Sequence, residues 1–135
     1  DYKIKFLNSI VSKVSDLDID VEDTCAAQFL LSRKNKKAIC QIHTNFYEKP
    51  KKREINIIGK KGKIFCDLNS GKIILFKNNK KKNYFFKIER NNIFINEVKY
   101  FLEHVKKNKK IDKKLDVING SKSLKLAIEL KKNDL

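Results

Sequence analysis

The chain has no methionine and no tryptophan, a single proline and only four glycines in 135 residues. With no methionine even at position 1, the sequence is expected to start inside a longer protein or to have been trimmed. Hydride chemistry on a dinucleotide needs a glycine-rich turn that delivers the pyrophosphate to a helix N-terminus. Gly59, Gly62, Gly71 and Gly120 do not open such a βαβ unit, so no cofactor site is expected within these residues. Pro50 cannot donate to a ladder and belongs outside any central strand.

Cysteine is equally sparse. Cys25, Cys40 and Cys66 are an odd set without a C-x-x-C spacing, which argues against a disulfide framework or a zinc site and for a reducing compartment. Cys40 and His43 fall on opposite faces of any strand that carries both, which excludes them as a nucleophile and base pair. No run approaches the roughly 20 apolar residues that cross a bilayer, and no secretory leader is visible. A cytoplasmic protein with no membrane partner and no bound metal is expected.

Acidic residues are in short supply: 16 against 32 basic ones, for a net charge of +16. Such an excess first suggests an anionic partner. Arginine, which supplies planar forks for phosphate, occurs only at Arg33, Arg53 and Arg90. The abundance of Lys, Asn and Ile reads as the product of an AT-rich coding sequence as much as of selection for a ligand. The lysines gather at Lys34–Lys37, Lys60–Lys63, Lys80–Lys82 and Lys106–Lys110, where turns and helix ends are expected, and read as solvated faces or edge protection. Nucleic-acid binding is therefore a disfavoured alternative.

What is present is a regular alternation of short β-rich runs and charged turns. The opening DYKIKFLNSI has Ile4, Leu7 and Val11 at helical spacing and predicts the last turns of a helix. SKVSDLDIDV, TCAAQFLLS and KAICQIHTNF then read as strands, followed by EINIIG, KIFCDL, KIILFK and NYFFKIE. The tight Gly- and Asn-containing links Gly59–Gly62, Asn69–Gly71 and Asn78–Lys80 predict antiparallel hairpins. Two helices should close the chain. One carries Val98, Phe101, Leu102 and Val105 on a stripe behind an Asn96 cap; the other runs from about Val117 to Lys132 behind an Asp116 cap. The expected fold is a single α+β domain, a mostly antiparallel sheet of about six or seven strands with helices packed on one face. Ile57-Ile58, Ile64-Phe65-Cys66, Ile73-Ile74-Leu75-Phe76 and Tyr84-Phe85-Phe86 place apolar groups on both faces of that sheet. Helices can cover only one, so the other is expected to meet an identical subunit.

Several short motifs occur in a definite order. Asp1 is followed by Phe6-Leu7-Asn8; Val21-Glu22-Asp23 precedes Thr24 and Ala26; Gly59 and Gly62 precede Ile64 and Asp67; Asn96-Glu97 precedes Phe101-Leu102. In that order they resemble the C-terminal domain of the glucose-fructose oxidoreductase and inositol 2-dehydrogenase family: the tail of its H-x-x-D helix, its V-E-D-x-A strand entry, its G-x-x-G-x-I-x-x-D hairpin and its N-E-x-x-x-F-L helix. The correspondence spans nearly the whole chain, with Asn8 where the family usually has glycine. The resemblance implies an N-terminal Rossmann domain upstream, NAD or NADP bound there, a sugar or cyclitol substrate, and a role for this part as substrate wall and oligomer interface. These residues alone would be inactive. Glu48-Lys49-Pro50 spells the family's catalytic triplet, but it lies downstream of Asp1 and next to the hairpin, where the family does not place it.

The site residues remain open between two readings. Asp1 matches the Asp of H-x-x-D, without its His partner in the chain, or is an ordinary terminal charge. His43, Asn45 and Tyr47 alternate along one side of a strand and suit either a sugar pocket or a plain solvent face. Arg53 could anchor an anionic group or pair with Glu54 or Glu48. His104 reads as a solvated helix residue, and Gly59 and Gly62 as turn geometry rather than a phosphate cradle. The alternatives to the enzyme are a stand-alone protein-interaction module and a basic nucleic-acid-binding domain.

Overall fold

A computed structural model describes residues 2–132, with Asp1 outside them. The described chain is α+β, with seven strands and two helices. The strands form two antiparallel sheets where one was expected: β1 (Lys3–Ser12), β2 (Thr24–Arg33) and β3 (Lys36–Asn45) in one, β4 (Glu54–Gly59), β5 (Gly62–Asp67), β6 (Lys72–Lys77) and β7 (Lys80–Phe85) in the other. The break falls in the β3–β4 link, which holds Pro50, and no ladder joins those two strands. The chain divides accordingly into two compact units. The first 48 residues combine with those from Asp112 onward, and Lys49–Ile111 forms the other.

In the first unit the opening segment is a strand, correcting the expected helix. β1 pairs with β2 from Lys3↔Ser32 to Ser12↔Thr24, and the register shifts between Phe6 and Asn8. The inserted Leu7 is a bulge that re-phases the strand. Ile4 and Phe6 before it share a face with Ser9 and Val11 after it, so the strand shows a seven-residue apolar spacing that imitates a helix. The expected strand SKVSDLDIDV is a loop instead. Asp23 organises it, accepting hydrogen bonds from the amides of Val14 and Ser15, both at 2.9 Å.

The core of this unit is small. Phe29 and Ala27 on β2 and Ser9 on β1 are buried, with the Phe6 and Phe29 rings 6.0 Å apart. The helix α2 (Val117–Lys131) covers this face along β1, the Ser9 hydroxyl donating to the Leu130 carbonyl at 3.0 Å. Its start is as the sequence indicates: the Asp116 carboxylate accepts from the Asn119 amide at 2.7 Å. Lys131 forms a 2.8 Å ion pair with Glu22.

The second unit is a four-stranded meander. Gly59 and Gly62 pair across the first hairpin, with Lys60 and Lys61 as its turn. Asn78 and Asn79, both at positive φ (50° and 58°), close the last hairpin as a type I′ turn that asparagine tolerates. That turn starts β7 at Lys80 and ends it at Phe85, three residues earlier at the front and four earlier at the back than the expected strand NYFFKIE. Asp67 caps the β5–β6 link through the amides of Asn69 and Ser70. Gly71 is buried at φ 73°, where a side chain would overlap the Phe86 carbonyl. The helix α1 (Arg90–Lys106) begins behind Glu89, not after Asn96, and none of its residues is buried.

Candidate functional site

Sheet register determines what can meet. On the first sheet the face opposite α2 carries five cross-strand rows: Lys3–Ser32–Lys37 and Lys5–Leu30–Ile39 toward the β2–β3 turn, then Asn8–Gln28–Gln41, Ile10–Ala26–His43 and Ser12–Thr24–Asn45. In the last three rows all but two side chains are polar, and none is a carboxylate, lysine or arginine. Asn8, Ile10, Ala26, Gln28, Gln41 and His43 line an open concavity of about 350 Å3. Alternation in β2 and β3 sends Phe29, Ala27 and Ile42 to the other side and leaves amides, hydroxyls and one imidazole in these three rows.

The structure thus brings His43 and Asn45 onto one face, as expected, and adds Asn8, Gln28 and Gln41, which sequence reasoning missed. The signal was present in the alternation of β2 and β3, where Thr24, Ala26 and Gln28 step in phase with Asn45, His43 and Gln41. Asn8 was hidden by the bulge. Tyr47 lies just beyond β3, its hydroxyl accepting from Thr24 Oγ1 at 3.3 Å. Asn45 is committed locally: its side-chain oxygen accepts the Glu48 amide at 2.8 Å and fixes the turn out of the strand. His43 is exposed, and the side chains beside it in its row, Ala26 and Ile10, offer the imidazole no hydrogen bond.

Arg53 belongs to the other unit and its side chain is exposed, while its carbonyl accepts the Leu68 amide at 2.8 Å. Asp1 lies outside the described residues. Glu48-Lys49-Pro50 sits in the β3–β4 link. His104 stacks its ring 3.9 Å from that of Tyr100 and hydrogen-bonds the Tyr100 carbonyl, a contact within one helix.

Neither acid–base nor nucleophilic chemistry is assembled on the polar face. Cys40 shares a row with Phe6 and Phe29, on the opposite side from His43. Burial pushes the Cys25 thiol up, which makes it a poorer nucleophile. The strongest electrostatic perturbation is at Asp23, held well below the usual carboxylate range, first by the Ser15 hydroxyl and then by the amides of Val14 and Ser15 and the Thr24 hydroxyl. Every one of those partners is a structural donor, so Asp23 is a fastener for the loop. Among the described residues no group of three or more His, Cys, Asp or Glu is gathered to hold a metal ion, and no helix is long and apolar enough to cross a membrane. The face can bind by donating and accepting hydrogen bonds.

Comparison of the chain with protein-family models, with curated proteins and with solved structures finds no match.

Proposed function

We propose that these residues form the substrate-side, oligomer-forming part of a cytoplasmic nicotinamide-dependent oxidoreductase of the glucose-fructose oxidoreductase and inositol 2-dehydrogenase type. The observation that carries this reading is the polar face of the first sheet. The amides, hydroxyls and imidazole of its last three rows match a polyhydroxylated ligand, whose hydroxyls both donate and accept. Asn8, Gln28, Gln41 and His43 would orient a sugar or cyclitol; an upstream domain would supply NAD or NADP and the reacting groups.

The motif geometry adds support. Asp23 of Val21-Glu22-Asp23 fastens the entry to β2, Gly59 and Gly62 pair across a two-residue hairpin, and Asp67 caps the following turn. The first motif, Phe6-Leu7-Asn8 as the tail of a helix, is lost because β1 is a strand, and Asn96-Glu97 lie inside α1 and not at its start. The support therefore comes from the strand entry at Val21-Glu22-Asp23 and the Gly59–Asp67 hairpin.

The test is to extend the reading frame upstream and express the longer chain. The expected result is roughly 150 or more further residues, one ordinary domain, containing G-x-G-x-x-G and changing the fluorescence of added reduced nicotinamide cofactor. A start codon immediately before Asp1 overturns the reading.

A second reading, a protein-interaction module, is favoured by one face of the second sheet. Ile55, Ile57, Ile64 and Tyr84 project from it and are 47%, 56%, 37% and 45% exposed. Apolar side chains so arranged suit a second copy of the chain, which serves the enzyme and the module alike.

A further inference from the structure

The hairpin ends of the second sheet bring together lysines that are distant in sequence. Lys60 and Lys61 form the β4–β5 turn, and Lys63 follows on β5. Across the ladder Gly62 pairs with Lys77, Lys77 with Lys80, and Lys63 faces Phe76, which faces Lys81. Six ammonium groups from two neighbouring hairpins therefore share one sheet end. All six are exposed, and none is engaged in an ion pair among the described residues. The acidic residues of this sheet, Glu54 and Asp67, pair with each other's strand at its opposite end, five residues away along β4 from the Gly59↔Gly62 pair.

A run of lysines in sequence is commonly a solvated face. Convergence of two such runs on one edge, with their counter-charges withheld to the far edge, is a field of one sign. It is also mixed with apolar groups: the last row on one face reads Ile58, Lys63, Phe76, Lys81, with Ile58 79% and Phe76 40% exposed.

From this arrangement we propose that the β4–β5 and β6–β7 hairpin ends form a docking surface for an anionic lipid membrane. Lysine ammonium groups act as point charges and need no bidentate geometry, which suits a fluid layer of headgroups. Ile58 and Phe76 stand at the same edge, where apolar side chains enter the interface. A single-stranded nucleic acid would instead need aromatic faces free for stacking. The Phe76 ring already carries the Lys81 ammonium at 5.9 Å from its centroid. This departs from the expectation of no membrane partner; a surface contact requires no bilayer-crossing segment, and it is independent of the oxidoreductase reading.

The experiment is sedimentation of the purified chain with vesicles of phosphatidylcholine alone or with about 30% phosphatidylserine, at low and at roughly physiological salt. Binding is expected only with the anionic lipid and should weaken as salt rises. The variant Lys60→Glu/Lys61→Glu/Lys80→Glu should lower partitioning at least about 100-fold, at roughly fivefold for each lysine removed. Lys34→Glu/Lys36→Glu/Lys37→Glu makes the same change in net charge at the β2–β3 turn and should change partitioning by less than about fivefold. Circular dichroism of both variants establishes that they fold. Equal losses in the two variants, binding to neutral vesicles, or tighter binding to a single-stranded oligonucleotide than to anionic vesicles overturns the proposal.

Discussion

Ser9 on β1 donates its hydroxyl to the carbonyl of Leu130 on α2, a 3.0 Å bond across 121 positions of sequence. Ser9 is 8% exposed, so the bond is shielded from competing water. Ser9→Ala removes the donor and leaves the carbonyl with one partner fewer, and should cost about 1 kcal/mol. Urea unfolding followed by far-UV circular dichroism reads it as a lower midpoint with an unchanged slope.

Asp23 governs the acid sensitivity of the first unit. Its carboxylate is held low by the Ser15 and Thr24 hydroxyls and the Val14 and Ser15 amides, so its folded-state value lies below its unfolded one. The stabilisation is therefore complete above the unfolded value of about 4 and drains away as pH falls below it. Asp23→Asn, which keeps one acceptor oxygen, should lower Tm by about 10 °C at pH 7 and flatten the fall in Tm between about pH 4 and pH 2. An undiminished acid slope in the variant would move the effect to other carboxylates.

Two glycines should respond in opposite directions to the same substitution. Gly71 has φ 73° and no room for a Cβ beside the Phe86 carbonyl, so Gly71→Ala should cost roughly 2–4 kcal/mol. Gly120 lies within α2, where a methyl group would meet nothing within 4 Å, so Gly120→Ala should stabilise by about 0.5–1 kcal/mol. Chemical denaturation of the two variants side by side checks both.

The uncovered face of the second sheet predicts self-association. Light scattering at about 10 μM should give at least twice the monomer mass, and Ile57→Lys should return the chain to monomer by placing a charge on that face, midway along the edge strand β4, where Ile57 is 56% exposed. A wild-type monomer at that concentration removes the homodimer.

The hairpins were legible because their determinants are local. Gly59, Gly62, Asn78 and Asn79 mark turns in the sequence by the backbone conformations that they allow, and Asp116 marks a helix start by its side-chain chemistry. The opening strand was illegible for a related reason. The bulge at Leu7 changes the phase of β1, and only pairing with β2 reveals it. The division into two sheets was equally hidden, since it depends on a ladder that fails to form after Asn45. For the site, His43 and Asn45 could be placed on one face from alternation alone. Their neighbours Asn8, Gln28 and Gln41 come from three different strands, and the register that aligns them is set by burial of Phe29 and Ala27 on the reverse side.

Translation delivers the first unit in two instalments. β1 is made first, whereas the helix that covers it ends at Lys131. While the ribosome is still at work, Phe6, Phe29 and Ala27 have no cover, and the whole of Lys49–Ile111 emerges and can settle before α2 exists. A nascent chain stalled before residue 117 would display that bare face to chaperones and proteases.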